Sequence, residues 1–544
     1  MLAALLLALL LANTGCRTTA SQRALAADDE LEQRVEAHAH FSAGVVHELA
    51  EDTPAALKEF YLAAEADPED AELLLEVSGR LIEGRQFAQA LDVLTWATEL
   101  PEADGMAFVR LGFVYAQLGQ NAKSIQANQL AVQRLPGYLP ARHNLYLNFV
   151  QARQPERALA VLDEAAAQPG TDLEYLVNLA ELYSNCGRQF PELQARVRPK
   201  AIAVLDRAAA LRPSAGPLQF KLAENFNLLG ATNQAAKWYL EILEHGEPGV
   251  PLRDILRAKL ADIFLRGEDR LRAEEQLAAI VRDNPANAGA HYFLGALAFE
   301  GKRWEEAITS FRQALLYDPG FEQAYFDLAS AQIAAGKSAD GVVTLELLRK
   351  QKPASFASEY LLGTAYHEQK KFAEALTHLI AAETIARASE TNRLNTALYF
   401  QLGATCEQMG DRAAAEAYFE KSLALAPDNA EALNYLGFMW AEQGRNLPRA
   451  RELIEHALKL EPDNDAFLDS MGWVLFKSGD AGGAVEYLLK AVAKLEQPDA
   501  TVYDHLGDAY AALKQMDKAR EAWAKSVSIE TSEAVRKKLD SVKP

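Results

Sequence analysis

At 544 residues the chain is too long for one compact core, and a net charge of −21 excludes wholesale electrostatic attraction to nucleic acid or anionic lipid. Of the residues 49% are hydrophobic but only 8% are aromatic; the apolar residues, mostly alanine and leucine, recur at i, i+3, i+4 and i+7 with no run of alternating β-branched residues, which indicates an all-α chain. The three cysteines, Cys16, Cys186 and Cys406, are scattered and none lies in a C-x-x-C, so they build no disulfide framework. The acidic excess reads either as a solubilising surface or as a face that steers a basic partner.

The chain opens with MLAALLLALLLANTGCR. Residues 2–12 are all Leu or Ala, about 17 Å of helix against a bilayer core of about 30 Å, a length that fits the apolar core of a secretory signal. Thr14 and Gly15 lead into Cys16, with Asn13 where a large aliphatic residue is usual. The arrangement resembles a bacterial lipoprotein signal, in which the cysteine after a small-residue cleavage site is lipidated. The resemblance implies a signal over 1–16 and lipidation of Cys16. With Arg17 rather than aspartate next, it also implies an outer-membrane lipoprotein facing the periplasm, held by acyl chains and not by a span. Plain secretion, as a soluble or periplasmic protein, and an N-terminal helix are the alternatives. Residues 17–36 read as a polar tether.

From residue 37 a pattern recurs. In YFLGALAFEGKRWEEAITSFRQALLYDP (292–319), Gly295 is followed by Ala307, Phe311, Ala314 and Pro319. Gly403, Ala415, Phe419, Ser422 and Pro427 keep the same offsets, as do Ala261, Ala273, Leu277, Ile280 and Pro285. Gly112, Ser124, Asn128, Ala131 and Pro136 keep them with polar replacements, and Gly507, Ala519, Trp523 and Ser526 keep them near the end. Two small residues facing each other let paired helices approach closely, and the bulky residue four positions on lies on the same helical face. Proline then stops the second helix. A hairpin of this size cannot bury its own apolar face and must stack on neighbours.

The pattern resembles the tetratricopeptide repeat, a unit of about 34 residues. The resemblance implies a right-handed superhelical solenoid of helix-turn-helix units. About 14 units fill residues 37–533, beginning near 37, 71, 105, 139, 173, 216, 254, 288, 322, 356, 396, 430, 465 and 500, and 534–544 forms a C-terminal capping helix. Extra residues in SNCGRQFPELQARVRPK, EHGEPGVPLR and ARASETNRLN break the period; they are expected in loops, with possible hinges near 190, 248 and 390.

The sequence offers no catalytic constellation. AAGKSA (334–339) holds Gly-Lys-Ser, but Ala331 stands where a phosphate loop has its first glycine, so the stretch reads as a hairpin turn. His38, His40 and His47 match no zinc spacing. The repeats leave no room for a catalytic domain beside them. The expectation is a chain that is not an enzyme, with no cofactor, no metal, no small-molecule substrate and no nucleic-acid partner.

The resemblance places the first helix of each unit on the concave face. At its fifth position stand Phe220, Ala258, Tyr292, Phe326, Tyr360 and Phe400, with Phe438 and Trp473 at the ninth position further on. Such a row either offers contact area to an extended peptide or amphipathic helix, or packs between neighbouring first helices. At the sixth position of earlier units stand Arg110, Asn144, Asn178, Lys221 and Lys259, which either orient a peptide backbone or carboxylate or are paired within the fold. This second row resembles the carboxylate clamp of chaperone-binding repeats, with Val109 where that clamp has its first lysine. The combined reading is a protein–protein interaction scaffold tethered to the bacterial cell envelope, with a partner polypeptide in its concave groove. The alternative is a regulatory subunit of an envelope enzyme or of a secretion or polysaccharide-export complex.

Overall fold

The computed structural model describes residues 31–214 and 216–542. Among them every regular element is helical and no strand occurs. The chain divides into two compact units, residues 1–263 and 264–544, and the division falls inside the helix Val250–Arg266. Within each unit, helices of mostly 12 to 14 residues follow one another in packed pairs, such as Gly105–Gln117 with Asn121–Arg134 in the first and Ala288–Glu300 with Trp304–Tyr317 in the second.

Local chemistry sets where these helices start. Asp70 Oδ1 accepts from the backbone N–H groups of Glu72 and Leu73, both at 3.0 Å. Asn287, Asn429 and Asn464 do the same for Ala290, Ala432 and Phe467 at 2.9, 2.8 and 3.2 Å. Each of these caps stands two residues after a proline: Pro68, Pro285, Pro427 and Pro462. Proline ends one helix because it has no N–H to donate, and the short polar side chain satisfies the orphan donors that begin the next. The turn inside a pair needs a left-handed residue; Gly336, at φ +74°, supplies it between Glu322–Ala334 and Ser338–Arg349. The Gly-Lys-Ser stretch is therefore a hairpin turn, and Lys337 reaches back to Glu305 at 2.6 Å.

The core of each pair rests on one close approach. A Cβ built on Gly295 would lie 2.7 Å from the Phe311 ring, one on Gly403 2.8 Å from the Phe419 ring, and one on Gly472 2.5 Å from Leu488. The small residues twelve positions on, Ala307, Ala415 and Ala484, are fully buried. Burial of a ring such as Phe311 is worth about 1.5–3 kcal/mol, and the missing side chain at Gly295 makes room for it. In the pair from 322 the facing residue is Ala329, and the bulky residue shrinks to Leu345. Tyr146 departs from the pattern: it stands at the small-residue position of its pair, buried, with its hydroxyl unpartnered.

The polar variant of the motif forms a buried hydrogen-bond network in which Asn128 Oδ1 alone is left unpartnered. Ser124 Oγ donates to the Gly112 carbonyl at 2.6 Å, Asn128 Nδ2 donates to Asn148 Oδ1 at 2.7 Å, and Asn148 Nδ2 donates to Ser124 Oγ at 2.9 Å. Asn148 belongs to the next helix, so the network ties one pair to its neighbour.

Three segments differ from expectation. The extra residues of the unit from 173 do not form a loop: they lengthen both helices to 17 residues, Leu173–Gln189 and Gln194–Ala210, joined by the short turn Pro191–Leu193. Val250–Arg266 and Phe372–Ser389 likewise absorb the other two insertions as added helical turns. Pro251 and Pro191 fall in first turns, where a missing N–H costs nothing, whereas Pro199 lies inside Gln194–Ala210, a helix held by its packing on Leu173–Gln189. Residues 31–36, read from sequence as tether, are already helical in a helix that runs to 49. At the other end, Glu533–Ser541 packs through Val535 onto the last pair.

Replacing Gly295 with Ala is expected to lower stability by about 1–3 kcal/mol in urea unfolding followed by circular dichroism. Adding Phe311→Leu, which copies the Ala329–Leu345 pair, should restore part of the loss. Gly289→Ala, at a helical site where an added Cβ would meet only the Asn287 side chain at 3.5 Å, an ordinary contact, should be neutral or stabilising by up to about 1 kcal/mol.

Candidate functional site

The expected aromatic row is half-buried rather than free. In the second unit, Tyr292 packs among Phe293, Phe311 and Phe321, with ring centroids 5.5, 5.7 and 4.6 Å away, and its hydroxyl donates to Asp327 at 2.8 Å. Phe326 packs on the buried Ala329, Leu345 and Leu362. Tyr360 stacks on Phe356 at 5.7 Å. Phe400 lies 5.9 Å from Phe419 and meets Tyr435 edge-on at 5.4 Å. In the first unit, Phe220 lies 6.4 Å from Tyr239, and Ala258 is exposed. Tyr292, Phe326 and Phe400 thereby join neighbouring first helices. Burial, reinforced by the Asp327 hydrogen bond, pushes the Tyr292 phenol up to about 12.

Two rings stand out of this row into solvent. Phe293 is 51% exposed and Tyr435 is 39% exposed. Each is held by a half-buried ring: Phe293 by Tyr292 and Tyr435 by Phe400. Both occupy the sixth position of their units, the position examined by sequence only for its polar members in earlier units. Reading that position to the end of the chain would have found them.

The polar row is paired within the fold. Arg110 donates to the Leu75 carbonyl and to Ser78 Oγ, the latter at 3.0 Å. Lys221 donates to Asn178 Oδ1 at 2.8 Å and lies 3.2 Å from Glu181. Lys259 is 2.9 Å from Glu224. Asn144 is half-buried on the helix Leu139–Gln151. Of the expected residues the structure brings Phe220, Lys221 and Asn178 together; Phe220 and Lys221 line an open pocket of ≈ 470 Å³ with Glu181, Arg188 and Asn225.

Near the C-terminal end of the second unit the row changes character. Trp473 is buried, stacked on His505 with centroids 3.9 Å apart, and its indole N–H donates to Glu442. His505 Nδ1 is 3.0 Å from Asp469 Oδ1, a buried pair that joins two successive first helices. Phe438 lies 6.3 Å from the same imidazole. One pair later, Lys538 of the terminal helix is bound to Asp504 and Asp508 at 2.9 and 2.7 Å.

Cys16 lies outside the described residues. Cys186 and Cys406 are buried, and burial pushes both thiols up to about 11. His40 lies 2.7 Å from Glu59, His47 lies 3.9 Å from Asp52, and His38 is exposed. Among the described residues no group of three His, Cys, Asp or Glu side chains is placed to hold a metal ion, and no helix is long and apolar enough to cross a membrane.

Paired helices with small residues at the crossing, tied pair to pair along their first helices, define a helical-hairpin repeat protein. The chain is a tetratricopeptide-repeat protein: profiles of that family match residues 258–325, 298–360, 355–428, 407–465 and 470–530. It is similar to the human protein O-mannosyl-transferase TMTC3, 23% identical over 329 residues, which are 57% of this chain and 35% of that protein. It is also similar to the BBSome complex member bbs-4 of Caenorhabditis elegans, 26% identical over 162 residues, which are 29% of this chain and 35% of that protein. The aligned part thus spans 35% of the length of each of these curated relatives. Among solved structures, that of Naa15/Naa10 bound to HypK-THB aligns with 87% of this chain and 70% of that chain at 16% identity, with a TM-score of 0.41.

The raised Tyr292 and Tyr418 phenols, both at about 12, carry a sign for alkaline stability. Each folded phenol holds its proton more tightly than the unfolded one, so the contribution is fully present below about pH 10 and is lost as pH rises through about 12. Urea midpoints measured across that window should fall, and should fall less in Tyr292→Phe.

Proposed function

We propose that this tetratricopeptide-repeat chain is a scaffold for protein–protein interaction, tethered to the bacterial cell envelope through Cys16, with no catalytic step of its own. Its partner is a polypeptide, extended or helical, that lies along the first-helix faces. One observation carries the reading. Phe293 and Tyr435 are exposed rings clamped edge-to-face by the half-buried Tyr292 and Phe400. An aromatic fixed in this way presents a large contact surface with little side-chain entropy left to lose, which suits a binding hot spot. The paired polar row supports the same division of labour: it stiffens the stack from pair to pair, and the exposed rings remain for the partner.

Crosslinking in cells followed by mass spectrometry tests the scaffold. Phe293→Ala with Tyr435→Ala should cut capture of the crosslinked partner by at least about thirty-fold, the loss of one hot-spot contact of about 2 kcal/mol or more, at unchanged circular dichroism. Equal capture would sink the assignment of these rings. Labelled palmitate tests the tether: label on the wild-type chain and none on Cys16→Ser is the expected result.

A further inference from the structure

The helix over residues 31–49 has two sides. On one, Phe41 and Gly44 lie against the Phe60 ring, and Glu48 is 3.5 Å from Arg80 of the next pair. On the other, Leu31, Val35, Val46 and Leu49 are 61%, 62%, 65% and 81% exposed. Leaving four large aliphatic side chains in water along one helix face costs burial energy that a second surface can recover.

The stripe has an order. Residues 31, 35, 38, 42, 45 and 49 follow one another at alternating steps of four and three, the spacing of a seam between two helices. The order is the same from either end: Leu31 and Val35 are apolar, His38 and Ser42 polar, Val45 and Leu49 apolar. A surface that pairs with itself about a two-fold axis needs that property, because each residue meets its counterpart in reverse order. Laid antiparallel on the same stripe of a second copy, Leu31 meets Leu49, Val35 meets Val45 with the exposed Val46 beside it, and His38 meets Ser42. Apolar side chains meet apolar ones, and the imidazole and hydroxyl, each able to donate and accept, meet each other.

Charge selects the same occupant and the same direction. Arg34 and Glu48 lie on one flank of the stripe, each one residue before a seam position. The antiparallel arrangement sets Arg34 of each copy opposite Glu48 of the other, an opposite-charge pair on that flank in both halves. Arg34 is exposed and enters no ion pair among the described residues. A parallel arrangement sets His38 against His38 and puts Arg34 beside Ala39.

We propose that the chain self-associates as a symmetric dimer through antiparallel pairing of its 31–49 helices. A seam of this length is about 28 Å long and falls at the small end of specific interfaces, below about 1,200 Å². The dimer is therefore reversible, forming at micromolar concentrations and above. The inference goes beyond the scaffold reading and does not depend on it; the rings of that reading belong to the second unit.

Sedimentation equilibrium on the full chain with Cys16→Ser, whose other thiols are buried, tests the dimer. A monomer–dimer equilibrium is expected between about 1 and 100 μM. Leu49→Glu, at an exposed site, should raise the dissociation constant by at least about 100-fold, two leucine contacts being lost. Arg34→Glu should raise it by about five-fold, and Glu36→Gln, exposed and off the stripe, by less than about two-fold. Direction is read by disulfide trapping: His38→Cys mixed with Ser42→Cys should give a covalent dimer of one chain of each on oxidation, and either variant alone should give little. Association that ignores Leu49→Glu runs through another surface, such as the apolar run 2–12, and overturns the proposal; so does trapping of either single variant with itself. A monomer at every concentration overturns it too, and the His38→Cys thiol then tells what takes the stripe: slow alkylation assigns it to residues 1–30, fast alkylation to a different protein.

Discussion

Everything in this chain depends on how closely two helices can cross. At Gly295, Gly403 and Gly472 the backbone of the first helix is in contact with a large side chain of the second, with no room for a Cβ between them. That contact fixes the depth of the groove into which Phe311, Phe419 or Leu488 inserts, and so sets how much apolar surface a pair can bury. What it leaves uncovered must be buried by the next pair. The demand for a neighbour is thus a consequence of the crossing, and it explains why the buried clusters run across several pairs within each unit.

Joining pair to pair is a second problem, solved along the first helices with different chemistry in different places. Arg110, Lys221 and Lys259 do it with charge and hydrogen bonds in the first unit. Tyr292 does it in the second with a ring and a hydroxyl on Asp327, and His505 does it with an imidazole on Asp469. Even the polar core at Ser124, Asn128 and Asn148 serves this end, because its third member comes from the following pair. Hydrogen bonds that cross from one pair to the next fix register as well as adding energy.

The same surface carries both paired and exposed side chains. Residues that tie pairs together are half-buried and paired. Among the groups left over are exposed rings held by half-buried ones, at Phe293 and Tyr435.

The sequence by itself determined the helical class and the repeat. These follow from short-range physics: proline removes a donor, Asn or Asp caps the next turn, and small residues recur at fixed offsets. It also singled out the positions that face neighbouring helices, without saying whether Phe326 or Lys221 looks outward or is already occupied. Only the tertiary structure decided that, since the partner of Lys221 is Asn178, forty-three residues away, and the support for Tyr435 is Phe400, one pair back. The insertions near 190 and 390 were likewise settled in three dimensions, where the extra residues became added helical turns against neighbouring helices. Local propensity reads along the chain; which side chain stays free depends on what the adjacent pair places against it.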